Sequence, residues 1–233
     1  MTTLTAPTLP RSRPGRSTLT TDVEELAELA ERLNGRPVPG VRMTERQFVE
    51  WSTPGALRAE WENGEVILMT TPSVTHAEWS GWIYRFLCGF AEFHDLGQAY
   101  LPVTVRLEEL QRRRDPDVLF IAKSRLHLLR QNHVEGPPDL VVEIVSPDSS
   151  VRDWRTKHAE YAEAGVKEYW VADPLIRRFE AYTLSRKKYR LLPIDDEGRV
   201  HSKLLKGLYV RPEWLWRTPL PRVGTVLKEM GVK

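Results

Sequence analysis

The order of helical and strand patterns along this chain predicts an α/β domain, a mixed β-sheet flanked by helices on both faces. Three features carry that expectation. Leu140, Val141, Val142, Ile144 and Val145 make a nearly continuous apolar run, the pattern of a central strand covered on both sides. Trp79, Trp82, Ile83, Phe86, Leu87 and Phe90 recur at three- and four-residue spacing and define one wide helix face. Strand patterns then alternate with helical ones instead of separating into blocks.

Taken in order, residues 1–20 are rich in Thr, Pro, Ser and Arg and read as a disordered arm. Residues 22–34 predict a helix, with Thr21 as cap, Glu24 and Glu25 in the first turn, and Asn34-Gly35 as the stop. Pro37 to Gly40 reads as a linker, and a short helix capped by Thr44 follows to about residue 52. The Asn63-Gly64 turn leads into a strand over 64–69. The long helix spans about 74–95. Beyond Gly97 come strands at 100–107, 116–122 and 140–145. Ser150-x-x-Asp153 has the form of a capping box for a helix over 150–164, stopped by Gly165. A strand at 166–173 and a hairpin, Phe179–Leu184 with Tyr189–Leu192, complete the pattern. From residue 200 onward no pattern is clear. No Gly-rich phosphate loop follows any strand, which argues against a nucleotide-binding fold.

Composition narrows the classes of function. At 233 residues the chain has room for one sizeable domain with appendages. No run of about 18 apolar residues suggests a membrane span. The arginines near the N-terminus lack the apolar stretch of a secretory signal, so a cytoplasmic protein is expected. The single cysteine, Cys88, excludes an intrachain disulfide and a cysteine-rich zinc site; its place in an apolar helical pattern makes it a small core residue. The net charge of +2 is too balanced for bulk attraction to nucleic acid. Any such contact must be local, with Arg112, Arg113 and Arg114 as first candidates and Arg152 with Arg155 as second. The plainer alternative for both is a solvated surface.

The chemistry centres on two acids. Glu143 interrupts the most apolar strand, and a buried carboxylate is costly unless something compensates it. Asp117 begins another strand. Were the two strands neighbours, the acids would lie about 5 Å apart, the inter-strand spacing. Repulsion at that range raises a pKa or recruits a cation, and such oxygen ligands suit Mg²⁺ or Mn²⁺ better than zinc. The alternative is a Glu143 that pairs with a buried arginine. His94, His127, His133, His158 and His201 show no ligand spacing. Ser146 and Ser149 lack a base partner.

Three stretches together resemble a known family. They are Pro116-Asp117-Val118, then Pro138-Asp139-Leu140-Val141-Val142-Glu143-Ile144-Val145-Ser146-Pro147, then Asp153-x-x-x-Lys157-x-x-x-Tyr161-x-x-x-Gly165-Val166-x-x-Tyr169-Trp170-x-x-Asp173-Pro174. In order and spacing these are similar to the core of the Uma-two restriction endonuclease family, within the PD-(D/E)XK nuclease superfamily. Upstream, Glu60-x-x-Asn63-Gly64-Glu65 and His76 match weaker positions, with Asn63 where the family usually has Asp; downstream, Gly207-Leu208 resembles its closing segment. The resemblance covers about 43–220. It divides the chain into an arm (1–20), a helix and linker (21–42), a nuclease-like domain (43–220) and a C-terminal tail (221–233).

The resemblance implies a restriction-endonuclease-like core and a Mg²⁺- or Mn²⁺-dependent endonuclease acting on DNA, as a homodimer because two strands favour paired sites. Asp117 and Glu143 would bind the metal and Glu60 would add a third carboxylate; His76 is a candidate phosphate contact, its alternative a structural histidine flanking the long helix. The superfamily lysine belongs two residues after Glu143, where this chain has Val145. Lys157 is the expected substitute, with Tyr161 one turn on sharing its face; the alternative is a surface pair between Lys157 and Asp153. The rival to an enzyme is a catalytically silent nuclease-like module that binds nucleic acid or protein.

Overall fold

The computed structural model describes Leu19 and residues 22–52, 58–146 and 152–232. The proposed arm, apart from Leu19, lies outside these residues, as do Thr21 and the Ser150 end of the capping box.

Helix α1 (Val23–Leu33) is capped by Asp22, whose side chain accepts from the amides of Glu24 and Glu25. The expected linker is instead a strand, β1 (Pro37–Arg42), paired antiparallel at a sheet edge, where missing proline N–H groups are tolerated. Helix α2 (Glu45–Ser52) precedes a hairpin of β2 (Ala59–Glu62) and β3 (Glu65–Leu68). Asn63 and Gly64 both take positive φ at its tip, as a two-residue hairpin turn requires.

Helix α3 (Val74–Phe93) starts at a Ser73 cap and buries the predicted aromatic face. Each large apolar side chain so buried contributes about 1.5–3 kcal/mol. The single strand expected over 100–107 is two strands, β4 (Gly97–Tyr100) and β5 (Val105–Leu107), in different sheets. The chain bends at Leu101-Pro102 and crosses between them. Next come β6 (Arg112–Arg114), β7 (Val118–Ala122), β8 (Val134–Glu135) and β9 (Leu140–Ile144). A π-helical turn, Arg152–Lys157, runs into α4 (His158–Ala164). Strands β10 (Glu168–Asp173), β11 (Arg178–Ser185) and β12 (Lys188–Leu191) follow, then a small pair, β13 (Val200–His201) with β14 (Tyr209–Val210). Helix α5 (Val223–Glu229) lies in the C-terminal segment, and its Val226 and Leu227 are buried in the core with α3.

Two six-stranded sheets result, in the orders β1-β3-β2-β6-β5-β8 and β12-β11-β10-β9-β7-β4. In the second, β9 lies between β7, antiparallel, and β10, parallel. Its side chains alternate between two cores. Val118, Phe120, Leu140, Val142, Ile144, Trp170 and Ala172 face α3 and α5. Leu119, Ile121, Val141, Val145, Tyr169 and Val171 face the other way, meeting Tyr161 of α4 and Val105 and Leu107 of the first sheet. Glu143 shares the parity of Val141 and Val145, so it points into this second layer, where the two sheets and α4 converge. Among the described residues, no helix is long and apolar enough to cross a membrane.

Candidate active site

Strands β7 and β9 are neighbours, as the acid pair required. Their register pairs Val118 with Val142. One step further sets Asp117 opposite Glu143, a relation that places Cβ atoms about 4.5–5.5 Å apart where pairing continues. Both acids are buried, Asp117 at 5% exposure and Glu143 at 2%. Asp117 Oδ2 accepts from the Ile144 amide at 2.7 Å and lies 3.1 Å from His76 Nε2. His76 sits in the first turn of α3, where its amide donates to Ser73 Oγ.

Glu143 is held from the helix side. The Lys157 ammonium donates to Glu143 Oε1 at 3.0 Å, and the Tyr161 hydroxyl donates to the same oxygen at 3.0 Å. Burial and then the charges of Glu143 and Glu60 push the Tyr161 phenol well above its ordinary range, so it stays a donor. Lys157 closes the π turn, a widened geometry often found at functional sites. It is 2% exposed and also 3.2 Å from Glu60 Oε1. The alternative of a solvated lysine therefore does not describe this side chain.

Glu60 is fully buried on β2, behind the ammonium, and its other oxygen meets Arg114 Nη1 at 3.2 Å. It belongs to the clamp on Lys157 and is absent from the pocket wall.

The arginine cluster differs most from expectation. It forms a strand instead of an exposed loop, with Arg113 and Arg114 buried. Arg112 pairs with Glu62 and Glu160, Arg113 with Glu45, and Arg114 with Glu60, Glu62 and Glu160, all at 2.7–3.2 Å. Desolvation opposes the Arg114 charge, but these carboxylates outweigh it and hold the guanidinium protonated. A group so committed is structural in this arrangement. Arg155 is exposed on the π turn.

An open pocket of about 210 Å³ gathers Asp117, Glu143, Lys157 and His76. Its other walls come from the Thr70-Thr71-Pro72-Ser73 loop, from Glu31 and Asn34 of the α1 end, and from Arg58 and Asp115. The last two are residues the sequence reading missed. Asp115 was legible as an extra acid in Asp115-Pro116-Asp117; nothing local marks Arg58. Burial raises the Asp115 carboxyl above its ordinary range despite the nearby Arg58 charge.

Among the described residues, no three His, Cys, Asp or Glu side chains form a ready-made metal cage. Two carboxylates at an open pocket are a donor set that suits a divalent cation keeping several of its waters.

A family model described as Uma2, "Putative restriction endonuclease", matches residues 46–212. Among solved structures, the chain is similar to "a putative nuclease belonging to DUF820" from Anabaena variabilis, with a TM-score of 0.61 and 16% sequence identity. That match covers 75% of this chain and 97% of the other. At this identity the likeness is one of fold. Among curated proteins, none matches the chain.

Proposed function

The chain belongs to the Uma2 restriction endonuclease family, and we propose on that premise that it is a divalent-metal-dependent endonuclease hydrolysing phosphodiester bonds in DNA. The observation that carries the reading is the buried Asp117 and Glu143 pair on adjacent strands, open to a pocket and met by the Lys157 ammonium. Asp117 and Glu143 would hold Mg²⁺ or Mn²⁺. Bound there, the ion supplies a water of lowered pKa and offsets charge on the scissile phosphate.

The chain's own residues prepare that chemistry. The Ile144 amide and His76 orient the Asp117 carboxylate, and Tyr161 orients that of Glu143. His76 thus acts through Asp117, with its Nε2 engaged there. Lys157, held between Glu143 and Glu60, places a fixed positive charge at the pocket wall, where it screens charge building on the phosphate. One such site cuts one strand, so double-strand cleavage calls for two copies of the chain.

A cleavage assay on supercoiled plasmid, single-stranded DNA and RNA, with Mg²⁺, Mn²⁺ or a chelator, tests this. Plasmid nicking or linearisation that needs the metal and disappears in Glu143→Gln is the expected result. Metal-independent cleavage, or full activity in that variant, overturns the reading.

A further inference from the structure

The pocket contains a guanidinium that the scheme above leaves unused. Arg58 stands at the entry to β2, its carbonyl accepting from the Met69 amide. Its Nη2 donates to the Asp115 carbonyl at 2.8 Å. Its approaches to carboxylates are long: 3.9 Å to Asp117 Oδ1 and 4.0 Å to Asp115 Oδ2. Arg114, by contrast, meets three glutamates at 2.7–3.2 Å. The Arg58 Nε–H is buried and, among the described residues, has no hydrogen-bond partner. Leaving a buried donor without a partner is costly, and native proteins pair most such groups. The residue that carries this donor lines the pocket.

We infer that Arg58 binds a non-bridging oxygen of the substrate phosphodiester beside Asp117. This rests on the nuclease reading. The planar guanidinium presents a fork that matches phosphate oxygens, and its side chain remains 30% exposed, within reach of a ligand. Ser73 and His76 of the N-terminal end of α3 line the same pocket, and that end adds its partial positive charge. The charge balance adds a condition. Glu31, Asp115, Asp117 and Glu143 outnumber Arg58 and Lys157 in the lining, so an anion enters once a divalent cation has offset the acids. Arg58 therefore acts on phosphate binding in the metal-loaded protein.

The test measures anisotropy of a fluorescent phosphorothioate duplex across a salt series with Mn²⁺ present, alongside Mn²⁺ calorimetry without DNA. Arg58→Ala should weaken duplex binding about tenfold or more and lower the slope of log affinity against log salt by about 0.9. Mn²⁺ affinity should stay at the wild-type value. Arg58→Lys should keep the salt slope and recover part of the affinity. If Arg58→Ala fails to fold, Arg58→Gln, which retains a donor for the Asp115 carbonyl, gives the same comparison. Wild-type duplex affinity and slope in the variant overturn the inference, as does a parallel loss of Mn²⁺ affinity, which would make Arg58 an organiser of Asp117. A wild-type protein that neither binds nor cleaves DNA overturns the nuclease reading itself, and this inference with it.

Discussion

Replacing Lys157 with Met separates its two tasks, because methionine fills a similar volume without the charge. Lys157 Nζ lies 3.0 Å from Glu143 Oε1 and 3.2 Å from Glu60 Oε1. At an effective dielectric of about 20, each contact is worth about 5 kcal/mol before desolvation is counted. Removing one partner of such a buried set costs about 3–5 kcal/mol net, or about 6–20 °C in Tm for a chain of this size. The same substitution takes a cation off the carboxylate proposed to hold the metal. Mn²⁺ affinity in Lys157→Met should therefore hold or rise, and saturating Mn²⁺ should recover part of the lost Tm. Turnover should still fall about a hundredfold or more, as on removal of one group that stabilises transition-state charge. Calorimetric Mn²⁺ titration, thermal melts with and without metal, and plasmid cleavage at saturating metal read the three quantities. Unchanged turnover, or a fall in Mn²⁺ affinity that accounts for the lost turnover, would refute the assignment of Lys157 to the reacting phosphate.

Three further outcomes follow from the packing. Arg114→Met leaves the fully buried Glu60 with less compensation and should cost about 3–5 kcal/mol in urea unfolding; the salt slope of DNA binding should not change, since this guanidinium is turned to carboxylates. Burial works against the Asp139 charge, but Lys167, the Ala122 amide and Arg125 overcome it and hold the carboxyl below its ordinary range. Its stabilisation is therefore present above the unfolded-state pKa and lost as pH falls through the lower folded one, so Asp139→Asn should be destabilised at pH 7 by a margin that closes below about pH 4 in acid-unfolding curves. At Gly97, φ is +148° and an added Cβ would stand 2.1 Å from the Ile121 carbonyl oxygen, a backbone atom that cannot step aside; Gly97→Ala should loosen the β4–β7 edge, lowering Tm and speeding amide exchange at residues 97–100, with wild-type exchange there ruling the clash out.

What was legible in the sequence follows from where each segment finds its partners. Strand β9 could be read because apolar residues on both faces need no knowledge of neighbours, and the face of α3 could be read for the same reason. Strand β6 could not. Arg112-Arg113-Arg114 has no apolar residue, and it lies inside the protein because Glu45, Glu60, Glu62 and Glu160 arrive from other elements to neutralise it. Strand β1 was hidden by Pro37, Pro39 and Gly40, residues of turn chemistry that an edge strand accepts. The acid pair was visible as charge misplaced in an apolar strand. Arg58 carries no such local signature, since an arginine before a strand is ordinary until the pocket around it is known.

The position of the lysine shows how site and fold depend on one another. Val145 shares the Glu143 face, but it is 1% exposed and packed in the layer that holds Tyr161, Val166 and Val171. A cation there would displace apolar contacts and lie beneath α4. Lys157 instead comes from the helix side, at the end of a widened turn, with its stem buried and its ammonium on Glu143. Glu60 from the first sheet and Glu143 from the second both meet that ammonium, and Tyr161, one turn further along, donates to the same Glu143 oxygen. Each carboxylate would be a costly buried charge without the lysine, and the lysine would be one without them. Docking the two sheets through α4 and assembling the charged site are therefore one event: the ion set forms only when all three elements are in place, and the pocket opens beside it.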